Sequence, residues 1–131
     1  AVYSPLHIIM KLETVKEILL AEVITGHDKL DMVVEKCSAG DLMSDLLTGP
    51  NTGSLLLTGL CNIQVIRTSM IAGVSAVVFV RGKHPAEEMI TKAKEYGLPL
   101  LTTPFTMFTS SGRLFSKGLR GVEVKLTNPA K

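Results

Sequence analysis

The strongest constraint on the fold of this chain is a rhythm in its second half. Three short apolar runs lie at residues 55–57 (LLL), 76–80 (AVVFV) and 98–101 (LPLL), and segments with helical spacing separate them. Runs of Leu and Val without polar alternation are strands covered on both faces. Strands that alternate with helices of about ten residues imply βαβ crossovers and a parallel sheet. The right hand of such crossovers puts helices on both faces of the sheet. The expected architecture is therefore α/β: a Rossmann-like, three-layer sandwich with a mostly parallel central sheet flanked by helices.

Local signals set the expected boundaries. Asn62 is placed to cap a helix over residues 63–72, which Gly73 closes. Pro85 suits the first turn of a helix whose Ala86, Met89, Ile90 and Ala93 share a face, with Gly97 at its end. Thr103 and Pro104 start a last helix, interrupted near Gly112. In the first half, Leu12, Val15, Ile18 and Leu19 mark one face of a helix over residues 11–20. Residues 22–25 and 32–38 read as strands. Asp41 is a good cap for a helix carrying Leu42 and Leu46, and residues 48–53 (TGPNTG) read as a loop.

With 131 residues, no internal repeat and no interdomain linker, one domain is expected over residues 10–119. Residues 1–9 read as an upstream extension or a cloning remnant, since helical patterning opens at Met10. Residues 120–131 read as a C-terminal tail or a short edge strand, on the alternation of Val122, Val124 and Leu126.

Composition removes several functional classes. Hydrophobic residues are 46% and charged residues 20%, the balance of a globular rather than a disordered chain. Fourteen basic and twelve acidic residues leave a net charge of +2, which gives no broad electrostatic case for nucleic acid or a membrane surface. Aromatic residues are only 5% and Trp is absent, which argues against a base-stacking platform. The longest apolar stretch, residues 71–80, is too short to span a bilayer. Cys37 and Cys61 are too few for a disulfide scaffold. The expectation is a cytoplasmic domain that contacts neither nucleic acid nor membrane.

Ligands of open α/β sheets bind beyond the carboxyl ends of the strands. That rule selects four loops, at residues 38–41, 58–62, 81–84 and 102–103. Three run directly into helix starts, where backbone N–H groups are free and partially positive. The candidate ligand contacts are Ser38, Asp41, Thr58, Gly59, Asn62 and Arg81, with Lys83 as a second cation able to neutralise an anion. Each has a plainer reading: Thr58 and Gly59 as a turn, Asn62 and Asp41 as caps, the cations as solvated surface. Neither GxGxxG nor a P-loop occurs, and no cofactor is expected. Asp41 and Asp45 stand four apart, but capping occupies Asp41, and His7, His27 and His84 match no ligand spacing, so no metal site is expected. There is no GxSxG elbow, and no team of nucleophile, base and electrostatic stabiliser can be assembled, so no catalytic residue is assigned.

The run GSLLLTGLCNIQVIRTSMIAGVSAVVFVRGKHPAEEMITKAKEYGLPLLTTPFTMF, residues 53–108, resembles the DRTGG domain family. The preceding MKLETVKEILLAEVITGHDKLDMVVEKCSAGDLMSDLL resembles the first half of the same domain, so the likeness spans about residues 10–119. It rests on the order of elements, with Thr58 and Gly59 a partial echo of the five-letter signature, which is not present literally. The resemblance implies a regulatory module, similar to the N-terminal domain of HPr kinase/phosphorylase and to the domain accompanying phosphotransacetylase. It implies dimerisation as a common property and supplies no catalytic set.

The function expected is that of a non-catalytic regulatory or interaction domain. It is a homodimer that senses a small anionic metabolite or adenine nucleotide at the strand-end loops, or acts on a regulated protein partner. The alternatives are a small phosphoryl- or acyl-transfer enzyme using Asp41, His84 and Arg81, and a pure protein-interaction scaffold. Dimerisation has a separate motive: a short chain this apolar can fill a core and still leave an apolar patch, which two-fold association covers.

Overall fold

A computed structural model describes residues 9–123. Among these, five strands build the main sheet: β2 (Glu22–Thr25), β4 (Lys36–Ala39), β5 (Ser54–Thr58), β6 (Ala76–Phe79) and β7 (Leu100–Thr102). Their spatial order is β2-β7-β6-β5-β4. Strands β4 to β7 run parallel, with Leu56 opposite Val77 and Val78 opposite Leu101. β2 closes one edge antiparallel to β7. A small hairpin-like pair, β1 (Met10–Lys11) and β3 (Val33–Val34), stands apart from it.

Side-chain alternation divides the core in two. Leu55, Leu57 and Val78 face one side, where they meet Leu12, Val15 and Leu19 around α1 (Leu12–Ile18) and Leu114 of α5 (Met107–Ser116). Leu56, Val77 and Phe79 face the other. There they meet Leu46 of α2 (Met43–Thr48), Val65 and Ile66 of α3 (Ile63–Ala72), and Met89 and Ala93 of α4 (Glu87–Tyr96). Every residue of β5, β6 and β7 is buried, as expected for strands between two helical layers. The three-layer α/β sandwich with a mostly parallel sheet is thus the observed architecture.

Several boundaries differ from the sequence reading. The expected strand over 32–38 breaks at Glu35, because Val34 pairs with Met10 and buries completely, while Lys36 onward joins β5. The first helix stops at Ile18, and Leu20 turns the chain with a φ of 48°. Pro85 lies ahead of α4 rather than in its first turn, and Ala86 takes the N-cap position. The last helix starts at Met107, capped by the Thr106 hydroxyl that accepts from Thr109 N, and runs through Gly112 unbroken. Asp41 is not the cap of α2. Leu42 holds that position with no side-chain bond, because the Asp41 carboxylate is engaged elsewhere.

The expected extension at residues 1–9 lies outside the described residues except for Ile9. So does most of the expected edge alternation, Val124 and Leu126 included. Within the described residues, the chain at Gly121 bridges Cys37 on the free edge of β4. Cys37 N donates to Arg120 O (2.8 Å), and Val122 N donates to Cys37 O (3.2 Å).

Candidate functional site

The four parallel strands end on one rim of the sheet, and their loops carry the candidate residues. At its centre the Asp41 carboxylate, from the loop after β4, reaches the turn after β5. Asp41 Oδ1 accepts from Gly59 N at 2.8 Å and from Thr58 Oγ1 at 3.0 Å. Thr58 Oγ1 in turn accepts from Leu60 N at 3.1 Å. The Gly59 amide, above all, holds the Asp41 carboxyl below its ordinary pKa. Partial burial opposes this, and Thr58, the Leu60 amide and the Lys83 charge reinforce it.

The second contribution comes from the loop after β6. Arg81 sits in the left-handed region with φ 59°, which is uncommon for a residue with a side chain. The loop after β7 fixes it there. Arg81 N donates to Phe105 O (2.8 Å), Gly82 N donates to Thr103 O (2.7 Å), and Thr102 Oγ1 donates to Lys83 O (2.6 Å). Thr103 is itself anchored, its buried hydroxyl donating to Leu19 O at 2.6 Å.

The clamped loop aims the Arg81 guanidinium over Gly59. A Cβ added at Gly59 would lie 3.5 Å from Arg81 Nη2 and 3.6 Å from Asp41 Oδ2. Asp41 and Arg81 therefore meet above the same glycine, yet they form no ion pair with each other. Lys83 adds a second positive charge, which lowers the proton affinity of both Asp41 and Cys61. Burial is the larger influence on Cys61 and raises its thiol pKa.

The structure brings Asp41, Thr58, Gly59 and Arg81 together. Asn62 stands at the end of this turn as the cap of α3, its Oδ1 accepting from Gln64 N at 3.0 Å. Ser38 lines a separate hollow of about 100 Å³ beside α2, with Gly40, Asp45 and Leu46. His84 also lies apart, in a 270 Å³ cleft with Leu20, Glu22, Gly82 and Thr102. The sequence places Thr103 in a strand-end loop, but neither its clamp on the Arg81 loop nor the part of Phe105 is legible there. The clamp's only local signal is the glycine in Arg81–Gly82–Lys83, a turn able to take a second left-handed residue, as Gly82 does at φ 68°.

The described residues contain no group of three or more His, Cys, Asp or Glu that could hold a metal ion. No helix among them is long and apolar enough to cross a membrane.

Fold and rim together define an α/β sandwich whose polar and charged groups converge at the carboxyl ends of parallel strands. No protein-family model and no curated protein matches the chain. Among solved structures, it is similar to the CBS and DRTGG domains of the regulatory region of Clostridium perfringens pyrophosphatase, crystallised with its activator, diadenosine tetraphosphate. The TM-score is 0.68 with 22% identity, over 89% of this chain and 51% of the other, so this chain spans about half the length of that structure. At this identity the likeness is one of fold, and it supports a DRTGG-like fold here.

Proposed function

We propose that this chain is a non-catalytic regulatory domain that works as a homodimer and senses a small phosphorylated anion, an adenine nucleotide in the first instance, at the strand-end rim. The observation that carries the reading is the placement of Arg81 over Gly59, beside Asp41 but not paired with it. Among the described residues neither Arg81 nor Lys83 forms an ion pair with a carboxylate, though the Lys83 charge is felt by Asp41. Their charges are open to a phosphate, and Asp41 Oδ2, left over from the bonds made by Oδ1, is an acceptor for a hydroxyl or amine of the same ligand. Asn62, at the end of the same turn, flanks these contacts, while Ser38 lies in the separate hollow beside α2. The similar structure was crystallised with a dinucleotide activator, which motivates the choice of adenine compounds.

Regulation would work by linkage. A ligand that binds one arrangement of the dimer better than another shifts the population by that difference in affinity. The same geometry speaks against Asp41 as a general base. A carboxylate held ionised by an amide and a nearby lysine has low proton affinity, far from the neutral range a base needs.

The test is thermal unfolding and calorimetry with AMP, ATP, diadenosine tetraphosphate and inorganic phosphate. A specific ligand at a hundredfold its dissociation constant adds about 2.7 kcal/mol of stability. Arg81→Ala should cancel that gain. No response to any of the four compounds would discard nucleotide sensing and leave the protein-interaction scaffold as the better reading.

A further inference from the structure

We infer that α5 is the two-fold interface of the homodimer, with a second copy of this chain seated antiparallel on the stripe Phe108, Ser111, Gly112, Phe115. The inference rests on the homodimeric part of the proposed function and is independent of any ligand. Phe108 is 88% exposed and Phe115 is 59% exposed, an unusual cost for two rings on one short helix. They are seven residues apart and so share a face. Ser111 and Gly112 lie between them on that face. A Cβ added at Gly112 would meet nothing within 4 Å, so the space above the helix centre is open.

The order of large and small residues decides the occupant. Read from either end, the stripe is Phe, two residues, a small pair, two residues, Phe. A two-fold axis that runs between the two helices, level with the bond between Ser111 and Gly112, pairs this pattern with its own reverse. An antiparallel copy then sets Phe108 beside Phe115 of the second chain at both ends, where rings can pack offset or edge-to-face. The small central pair lets the helix axes approach closely. Beside the stripe runs an apolar groove of about 320 Å³ toward the β4 edge, lined by Cys37, Ala39 and Leu119, which offers the incoming ring a seat.

One cation stands at this face: the Arg120 guanidinium lies 4.3 Å from the Phe115 ring centre and lines the groove, where it can also stack on an incoming ring. The α5 arginine is turned away from the stripe. Arg113 Nε donates to Ile18 O at 2.7 Å, and its guanidinium lies 4.6 Å from the Phe105 ring centre. The area is also adequate. Covering two aromatic rings removes on the order of 300 Å² per copy from water. Over both copies the rings alone account for about 600 Å², and the groove wall adds to it, a size that suits a weak, reversible association. A dimer of micromolar strength is the expected result.

The test is sedimentation velocity on the full chain up to several hundred micromolar, for the wild type, Ser111→Arg, Ser111→Glu and an equimolar mixture of the two variants. Position 111 is half-buried on the helix surface, and circular dichroism and melting confirm that each variant is folded. The wild type should dimerise, and each variant alone should dissociate, because the axis juxtaposes like charges. The mixture should recover dimer as the heterodimer. Phe108→Ala should weaken association by roughly tenfold or more. A wild-type dimer that both Ser111 variants leave intact would overturn the α5 interface while sparing the homodimer. A wild type that stays monomeric throughout would overturn both. A monomer that dimerises only after removal of residues 124–131 would assign the face to the chain's own end instead.

Discussion

Asp41 accepts the amide hydrogen of Gly59 at 2.8 Å, joining the loop after β4 to the turn after β5 across 18 positions of sequence. A carboxylate thereby occupies the amide and hydroxyl cradle that the turn would offer to an outside anion. The positive charge of the rim lies one step further out, at Arg81 and Lys83.

The bond has a pH signature. The folded pKa of Asp41 is lowered, so its contribution to stability is complete above the unfolded value, near 3.8, and is lost as pH falls through the folded value. Asp41→Asn should therefore reduce the difference in stability between neutral pH and pH below the carboxylate range. Because the side chain is exposed, solvent screens it, and the loss at neutral pH should be about 1 kcal/mol or less. Urea unfolding across the acid range reads this directly. An unchanged pH profile in the variant would remove Asp41 from the account.

Arg81 separates stability from binding. Its left-handed backbone costs about 1 kcal/mol or more for a residue with a side chain, and glycine does not incur that steric cost. Arg81→Gly should leave the melting temperature unchanged or raise it slightly, because all the clamp bonds to Phe105 and Thr103 come from the backbone. The same variant should lose any stabilisation by phosphate compounds. A variant that melts well below the wild type would mean that the guanidinium holds the loop together.

How much of this was readable in the sequence follows the range of the interaction. Leu55 to Leu57 and Ala76 to Val80 declare buried strands by composition alone, and both are buried in the structure. Asn62 and Gly73 declare the ends of α3, because capping is decided within four residues. The break at Glu35 has no local sign. Val33 and Val34 suit a strand equally well, and their partner is chosen by Met10, far upstream. Asp41 looked like a cap because the residues after it are helical, but its partner lies across a strand pairing that no local pattern encodes. The conformation of Arg81 was hidden for the same reason, since Thr103 and Phe105 impose it from the next strand end.

The two cysteines should differ in reactivity. Burial pushes the Cys37 thiol up to about 12, and its Sγ donates weakly to Ser38 O at 3.7 Å. Cys61 is also raised by burial, but Lys83 opposes the shift. The thiolate is the reactive form, so near pH 8 Cys61 should be alkylated faster than Cys37, although both are partly exposed. Pulsed alkylation with mass spectrometry gives the order. Modification of native Cys37 as fast as that of Cys61 would overturn this order.

Two helix-interior serines test the packing. Ser69 in α3 and Ser110 in α5 are completely buried, and neither hydroxyl has a hydrogen-bond partner among the described residues. A buried hydroxyl without a partner carries its desolvation cost uncompensated, on the order of 1–3 kcal/mol. Alanine also has the higher helix propensity by a few tenths of a kcal/mol. The methyl group of alanine fits wherever the serine Cβ already sits, so no clash offsets the gain. Ser69→Ala and Ser110→Ala should each raise stability by about 1 kcal/mol, measured by chemical unfolding with an unchanged m-value. The effects should add, because the two helices lie on opposite faces of the sheet. A loss of about 1 kcal/mol at either position would instead show that the hydroxyl makes a hydrogen bond in solution, to a trapped water or to a neighbouring carbonyl.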